Sequence, residues 1–191
     1  MDTIDCCLLH SPNALVLNLA DDIFPGGSVD VGSGAQEESL FRRTNYCASL
    51  KIELYPIRKD EIIYSPEISV IKTSENTSWG LINNLKISFI ACPGIKYPET
   101  IRNQTRLNEK DTKILKRKIK LIIQTAIRFN HDTIIFGALG CGAWRNPIKH
   151  VAEIFRDVLQ KLDGTLLNFY FAIMTTNSNK TIDIFKDVFM C

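Results

Sequence analysis

A chain of 191 residues, 45% hydrophobic and 23% charged, has the size and balance of one globular domain with a full core. A formal charge of +2 is too small to define a nucleic-acid-binding surface, and no apolar run approaches the length needed to cross a membrane. The acidic opening Met1-Asp2-Thr3-Ile4-Asp5 lacks the basic stretch that begins a secretory signal.

The run Ala14 to Leu19 is short and apolar and ends at Asp21-Asp22, the pattern of a buried strand feeding a loop. The loop carries Pro25-Gly26-Gly27-Ser28. Beyond it, Glu37 to Leu50 spaces Leu40, Phe41, Tyr46, Cys47 and Leu50 as a helix would. Glu61 to Tyr64 and Ile68 to Ile71, split by Ser65-Pro66, predict two strands or a bent one, and Ile87 to Ala91 a further buried strand. Asn108 to Asn130 is the clearest helix. Leu115, Ile119, Ile122 and Ala126 share one face, with Ile123 and Ile127 beside them, and the lysine-rich face is read as solvated.

Thr133 to Phe136 predicts a strand that runs into Gly137-Ala138-Leu139-Gly140-Cys141-Gly142. A second helix is predicted with Asn146 as N-cap and Pro147 as its first residue, a core face from Ile148 to Leu162, and a stop at Gly164. Leu166 to Met174 reads as the last strand and Thr181 to Phe189 as a closing amphipathic helix. Strands alternating with helices define a three-layer α/β domain with a mixed, mainly parallel central sheet. Ligands of such sheets sit at strand-to-helix loops, so residues 20–36 and 137–146 are the candidate walls of one cleft.

The six cysteines (Cys6, Cys7, Cys47, Cys92, Cys141 and Cys191) form no CxxC pair. With only His10, His131 and His150 beside them, they argue against zinc and for reduced thiols. The expectation is an intracellular, cytoplasmic protein, with nuclear access left open.

The first loop combines two kinds of chemistry. Gly26 and Gly27 offer main-chain amides with no side chain in the way, suited to a pyrophosphate, while Glu37 and Glu38 supply paired carboxylates for acid–base work at a glycosidic bond. Plainer readings stand beside these. Two acids in a first helical turn complement the macrodipole, and a glycine pair makes an ordinary turn. Trp144 could belong to the core, Asp21-Asp22 could attract magnesium, and Cys141 has no histidine near it in sequence to make it a nucleophile.

Leu17 to Leu50, which contains PGGS and QEES, resembles the signature of microbial-type poly(ADP-ribose) glycohydrolases of the macrodomain superfamily, a triple glycine followed by Gln-Glu-Glu. Ile63 to Ile68, IYSPEI, and Ile135 to Pro147, IFGALGCGAWRNP, match the family's later stretches in the same order. The chain departs at Ser28, where the family has its third glycine, and at Phe24, where it has asparagine. Relatives also carry a longer N-terminal region with a strand that helps recognise adenine, and the resemblance implies that this chain begins just after it, at Asp2-Thr3.

The resemblance implies one macrodomain-like α/β/α domain over residues 1–191 that releases ADP-ribose from poly(ADP-ribose) or ADP-ribosylated macromolecules. It implies that Glu38 acts as acid and then base, while Glu37 binds ribose hydroxyls and raises the proton affinity of Glu38. Gly26, Gly27 and Ser28 would face one side of the pyrophosphate and Gly140, Cys141 and Gly142 the other, with Gln36 and Ala143 in the same binding loops. Trp144 would cover the distal ribose or the adenine edge. No metal or other cofactor is implied. The implied partner is ADP-ribose or its polymer, free or carried on protein or nucleic acid, bound by a monomer with no membrane role. The alternatives are a non-catalytic ADP-ribose reader and a degenerate domain that binds no nucleotide.

Overall fold

The computed structural model describes residues 1–162, 164, 166–174 and 180–190. In chain order the main elements are α1 (Thr3–His10), β1 (Ala14–Asn18), α2 (Gln36–Arg43), β2 (Ile63–Lys72), β3 (Leu81–Ala91), β4 (Thr100–Ile101), β5 (Arg106–Leu107), α3 (Glu109–Arg128), β6 (Thr133–Phe136), α4 (Ile148–Leu159), β7 (Asn168–Phe171) and α5 (Thr181–Met190). Five strands form one sheet in the order β2-β3-β1-β6-β7, in which only the β2–β3 pairing is antiparallel. The other two form a small hairpin.

The sheet is buried on both faces, and its period-two alternation divides the core. Leu15, Leu17, Ile90, Ile134 and Phe136 pack with α3, α4 and α5, while Ala14, Val16, Phe89, Ala91 and Ile135 pack with α1 and α2. This is the expected three-layer arrangement. The first cluster is rich in rings: Phe155 meets Phe136 and Phe171 edge-on, at centroid distances of 5.1 and 5.2 Å.

Several elements differ from the sequence reading for local reasons. The helix after the first loop ends at Arg43, not Leu50, because Thr44 turns extended and pairs with Val70 while Asn45 donates to the Ser69 carbonyl. Tyr46–Ala48 then form only a single 3₁₀ turn. Ser65-Pro66 does not split β2; it sits in a register irregularity of one bent strand. β3 is longer than Ile87 to Ala91, β7 is shorter than Leu166 to Met174, and α1 was not foreseen. On α3, Ile127 is half exposed while Leu115, Ile119, Ile122 and Ala126 are fully buried.

Asn146 does not cap α4. Pro147 holds that position, and the helix ends at Leu159, well before Gly164. Cys6, Cys7, Cys47, Cys92 and Cys141 are free thiols, and Cys191 lies outside the described residues. Among the described residues no helix is long and apolar enough to cross a membrane.

Phe155 is fully buried in the aromatic cluster, so Phe155→Ala is expected to cost about 3–5 kcal/mol through lost burial and a residual cavity. Urea unfolding of the two proteins checks this, with the midpoint moving and the slope unchanged.

Candidate active site

The two loops named from sequence do meet. Leu19, Asp21, Gly27, Ser28, Glu37 and Glu38 line one side of a cavity of about 270 Å³, and Gly94, Ala138, Gly140, Gly142, Ala143 and Trp144 line the other. They converge because β1 and β6 are adjacent parallel strands whose carboxyl ends release both loops at the same edge. Phe24, which departs from the family pattern, is 59% exposed and is not among the lining residues.

The first loop is built around the carboxylates. Glu37 is almost wholly buried. Its Oε1 accepts from Asn18 Nδ2 at 3.2 Å and from the Gly26 N–H at 3.3 Å, and its Oε2 accepts from the Asp21 N–H at 2.7 Å. Burial pushes its pKa up to about 7; the three donors pull it down and the neighbouring Glu38 adds to the rise. Glu38 is buried too, with Oε1 accepting the Ser28 N–H at 3.1 Å. Its Oε2 has no partner among the described residues.

Gly27 makes this packing possible. Its φ is +56°, and a Cβ there would stand 2.9 Å from Glu38 Oε1 and 3.2 Å from Glu37 Oε2. Gly26 is equally constrained, since a Cβ would lie 2.6 Å from the Phe41 ring. Ser28 takes a φ of −105°, which any residue adopts, so the missing third glycine leaves the turn unstrained.

These contacts revise one expectation. The amides of Gly26 and Ser28 were assigned to a pyrophosphate, but here they hold Glu37 and Glu38, and the Gly27 N–H closes a turn on the Phe24 carbonyl. The proton affinity of Glu37 is itself raised, with burial as the main cause. Gln36 lines the cavity, yet its side-chain amide is fastened to β1. Its Oε1 accepts from the Leu19 N–H at 2.8 Å and its Nε2 donates to the Leu17 carbonyl at 2.8 Å.

The second loop keeps its amides open. The N–H groups of Gly142, Ala143 and Trp144 have no acceptor among the described residues, and a Cβ on Gly142 would meet nothing within 4 Å. Cys141 does not share this role. Its N–H closes a turn on the Ala138 carbonyl, its side chain is absent from the cavity lining, and burial pushes its thiol up to about 12. That thiol is no nucleophile.

Two residues that sequence reasoning missed hold the walls together. Asn146 Nδ2 donates to the carbonyls of Ile95 at 2.6 Å, Gly140 at 2.9 Å and Trp144 at 3.3 Å. Lys96 lies 3.0 Å from Asp22 Oδ1 and 3.6 Å from Asp21 Oδ2, and 5.5 Å from the Trp144 ring centroid. The Asp21-Asp22 pair is thus occupied by an ammonium from the chain itself. Among the described residues no three or more His, Cys, Asp or Glu side chains gather as metal ligands would.

Fold and site together define a macrodomain-like α/β/α protein with a carboxylate pair facing a loop of open main-chain amides. Residues 5–73 match the family model of the microbial-type poly(ADP-ribose) glycohydrolase (PARG) catalytic domain. The fold is that of bacterial PARG structures. The chain is similar to the Deinococcus radiodurans enzyme solved with ADP-ribose, at 20% identity and a TM-score of 0.80, over 98% of this chain and 80% of that one. It is also similar to the Thermomonospora curvata enzyme, at 23% identity and a TM-score of 0.77, over 97% and 72%. The T. curvata enzyme bound to the inhibitor ADP-HPD matches at 24% identity and a TM-score of 0.73, over 91% and 69%. No curated protein matches by sequence. The fold class and the family resemblance drawn from the sequence are both borne out.

Because its pKa in the fold is raised from 4.5 to about 7, Glu37 carries no penalty below the unfolded value and a growing one above it. Stability is therefore expected to fall by about 3 kcal/mol between pH 4.5 and 7 on this account. Denaturation of wild type and Glu37→Gln across that window checks it. The variant should lose the falling component, and parallel curves would show that the carboxyl is not the source.

Proposed function

We propose that this protein is a glycosidase of the poly(ADP-ribose) glycohydrolase type, which releases ADP-ribose from the polymer or from ADP-ribosylated macromolecules. The observation that carries the reading is Glu38, held on the cavity wall by one oxygen while its other oxygen is buried with no hydrogen-bond partner among the described residues. The family model over residues 5–73, and the likeness of the whole fold to enzymes solved with ADP-ribose, support the same conclusion.

On this reading the diphosphate lies along the second loop, where Gly142, Ala143 and Trp144 present unengaged N–H groups, and Trp144 covers a ribose. Glycosidic cleavage passes through an oxocarbenium-like state, and the departing ribose oxygen must be protonated to leave. Glu38 delivers that proton. Glu37, at about 7, keeps a proton available within the pair near neutral pH. A water then attacks the anomeric carbon and gives a proton to the Glu38 carboxylate, which restores the acid. The first loop does not grip the anion in this scheme. Its amides fix both carboxylates.

A reader without catalysis is motivated by Ser28, Phe24 and the absence of the family's first strand. Ser28 sits at an ordinary φ with its N–H on Glu38, and Phe24 lies outside the cavity lining, so neither blocks the acid.

Glu38→Gln keeps the shape and removes the transferable proton. Release of ADP-ribose from poly(ADP-ribose) is expected to fall on the order of 10²–10⁴-fold, while ADP-ribose binding measured by calorimetry persists. Equal release by the two proteins would remove Glu38 from the chemistry. In wild type the rate should decline as pH rises through about 7, where the pair gives up its proton.

A further inference from the structure

At the floor of the cleft the two walls are joined by the sheet, through the adjacent strands β1 and β6. Above the sheet they share little. The second wall is one piece, because Asn146 Nδ2 donates to the carbonyls of Ile95, Gly140 and Trp144 and ties the 93–95 segment to the loop. Lys96 is the next residue out from that piece, and its side chain crosses to the first loop. Its Nζ lies 3.0 Å from Asp22 Oδ1 and 3.6 Å from Asp21 Oδ2, with the Trp144 ring centroid 5.5 Å away. Among the described residues, the pairing of Lys96 with Asp21 and Asp22 is the only hydrogen bond or ion pair that joins residues 20–38 to residues 93–146.

The two aspartates are not loose acceptors. Asp21 Oδ1 accepts from the N–H groups of Ile23 at 2.8 Å and Phe24 at 3.0 Å, which folds the turn around its carboxylate. The main-chain N–H of Asp21 is the shortest of the three donors to Glu37, at 2.7 Å. A pull on these aspartates is therefore a pull on the seat of Glu37. A single exposed ion pair contributes little, but this ammonium is shared by two carboxylates and also lies over an indole face. Its hydrogen bond to Asp22 raises its proton affinity, so it stays charged across the neutral range.

We propose that Lys96 is a positioning residue: its ammonium clasps the Asp21-Asp22 turn from the opposite wall and fixes the gap between the Glu37–Glu38 socket and the open amides of Gly142, Ala143 and Trp144. The inference rests on the glycosidase reading for its kinetic part only; the clasp itself does not. In that reading the second wall grips the diphosphate and the first wall supplies the proton, so the gap decides how squarely Glu38 meets the glycosidic oxygen. Small errors of placement between a bound substrate and its acid are costly in rate. Without the clasp the second wall still holds the ligand while the acid is misaligned, and the loss falls on turnover more than on binding. Because the Lys96 side chain is 41% exposed, salt screens the clasp.

The test uses Lys96→Met, which keeps the aliphatic stem and removes the charge, and Lys96→Arg, which keeps the charge. In Lys96→Met the kcat for ADP-ribose release from poly(ADP-ribose) is expected to fall about three- to tenfold, with KM and the calorimetric Kd for ADP-ribose little changed. Lys96→Arg should recover most of the rate, and raised salt should shrink the difference between wild type and Lys96→Met. Asp22→Ala should repeat part of the loss, and combined with Lys96→Met it should be no slower than Lys96→Met alone. Trp144, one of two tryptophans, gives a readout without catalysis. In a Trp79→Phe background its fluorescence should become more open to acrylamide in Lys96→Met and return toward the parent in Lys96→Arg. Wild-type kcat with unchanged quenching in Lys96→Met would overturn the proposal and leave Lys96 a solvated charge. A raised KM and Kd with kcat intact would overturn it too, since Lys96 would then be a ligand contact. Quenching that follows the charge in proteins that release no ADP-ribose, wild type included, would uphold the clasp and refute the glycosidase reading.

Discussion

Two neighbouring carboxylates taken out of water are the condition that the rest of the site must satisfy. Each loses hydration and each repels the other, so neither would stay in place without donors aimed at it. The donors come from main chain close at hand: Asp21 and Gly26 to Glu37, and Ser28 to Glu38, with Asn18 as the one side-chain contributor among the described residues. Such an arrangement needs the backbone to pass directly beneath the two acids. Only a residue without a β-carbon leaves room for it, and Gly27 fills that place. The glycine turn is therefore a socket for the two carboxylates, and the open amides belong to the opposite wall.

Much of this was legible in the sequence. The α3 periodicity identified Leu115, Ile119, Ile122 and Ala126 as a core face, and all four are fully buried. The alternation of strands and helices gave the layers, and the glycine-bearing loops gave the cavity walls. What stayed hidden shares one character: it depends on partners far away in the chain. Asn146 has the residue type of an N-cap, and nothing local says that its amide reaches back to the carbonyl of Ile95. Gln36 sits inside a ligand-binding signature yet ties α2 to the end of β1. Lys96 is a partly exposed lysine in a polar stretch, with no periodic pattern to mark it as the link between Asp22 and Trp144. Helix α1 is short and its cysteines carry little helical signal, so its burial of Ile4, Cys6 and Cys7 emerges only from the packed layer.

The first loop's amides are engaged for a physical reason. A main-chain N–H serves one strong acceptor at a time, and a buried carboxylate from the same loop competes with any ligand for it. Once Glu37 and Glu38 fold back over the turn, the amides of Gly26 and Ser28 are already engaged. Sequence shows that the amides are unobstructed. Which anion they hold depends on where the next helix begins.

The contact of Gly94 with Gly140 has a mechanical meaning. A β-carbon on Gly94 would stand 2.8 Å from the Gly140 α-carbon and 2.9 Å from its nitrogen, so the two peptide chains touch with no side chain between them. Rotamer changes cannot loosen such a seam, because there are no rotamers in it. The 93–95 segment and the Gly140–Trp144 loop must travel as a single piece, and whatever adaptability the pocket has resides in the glutamate side of the cleft.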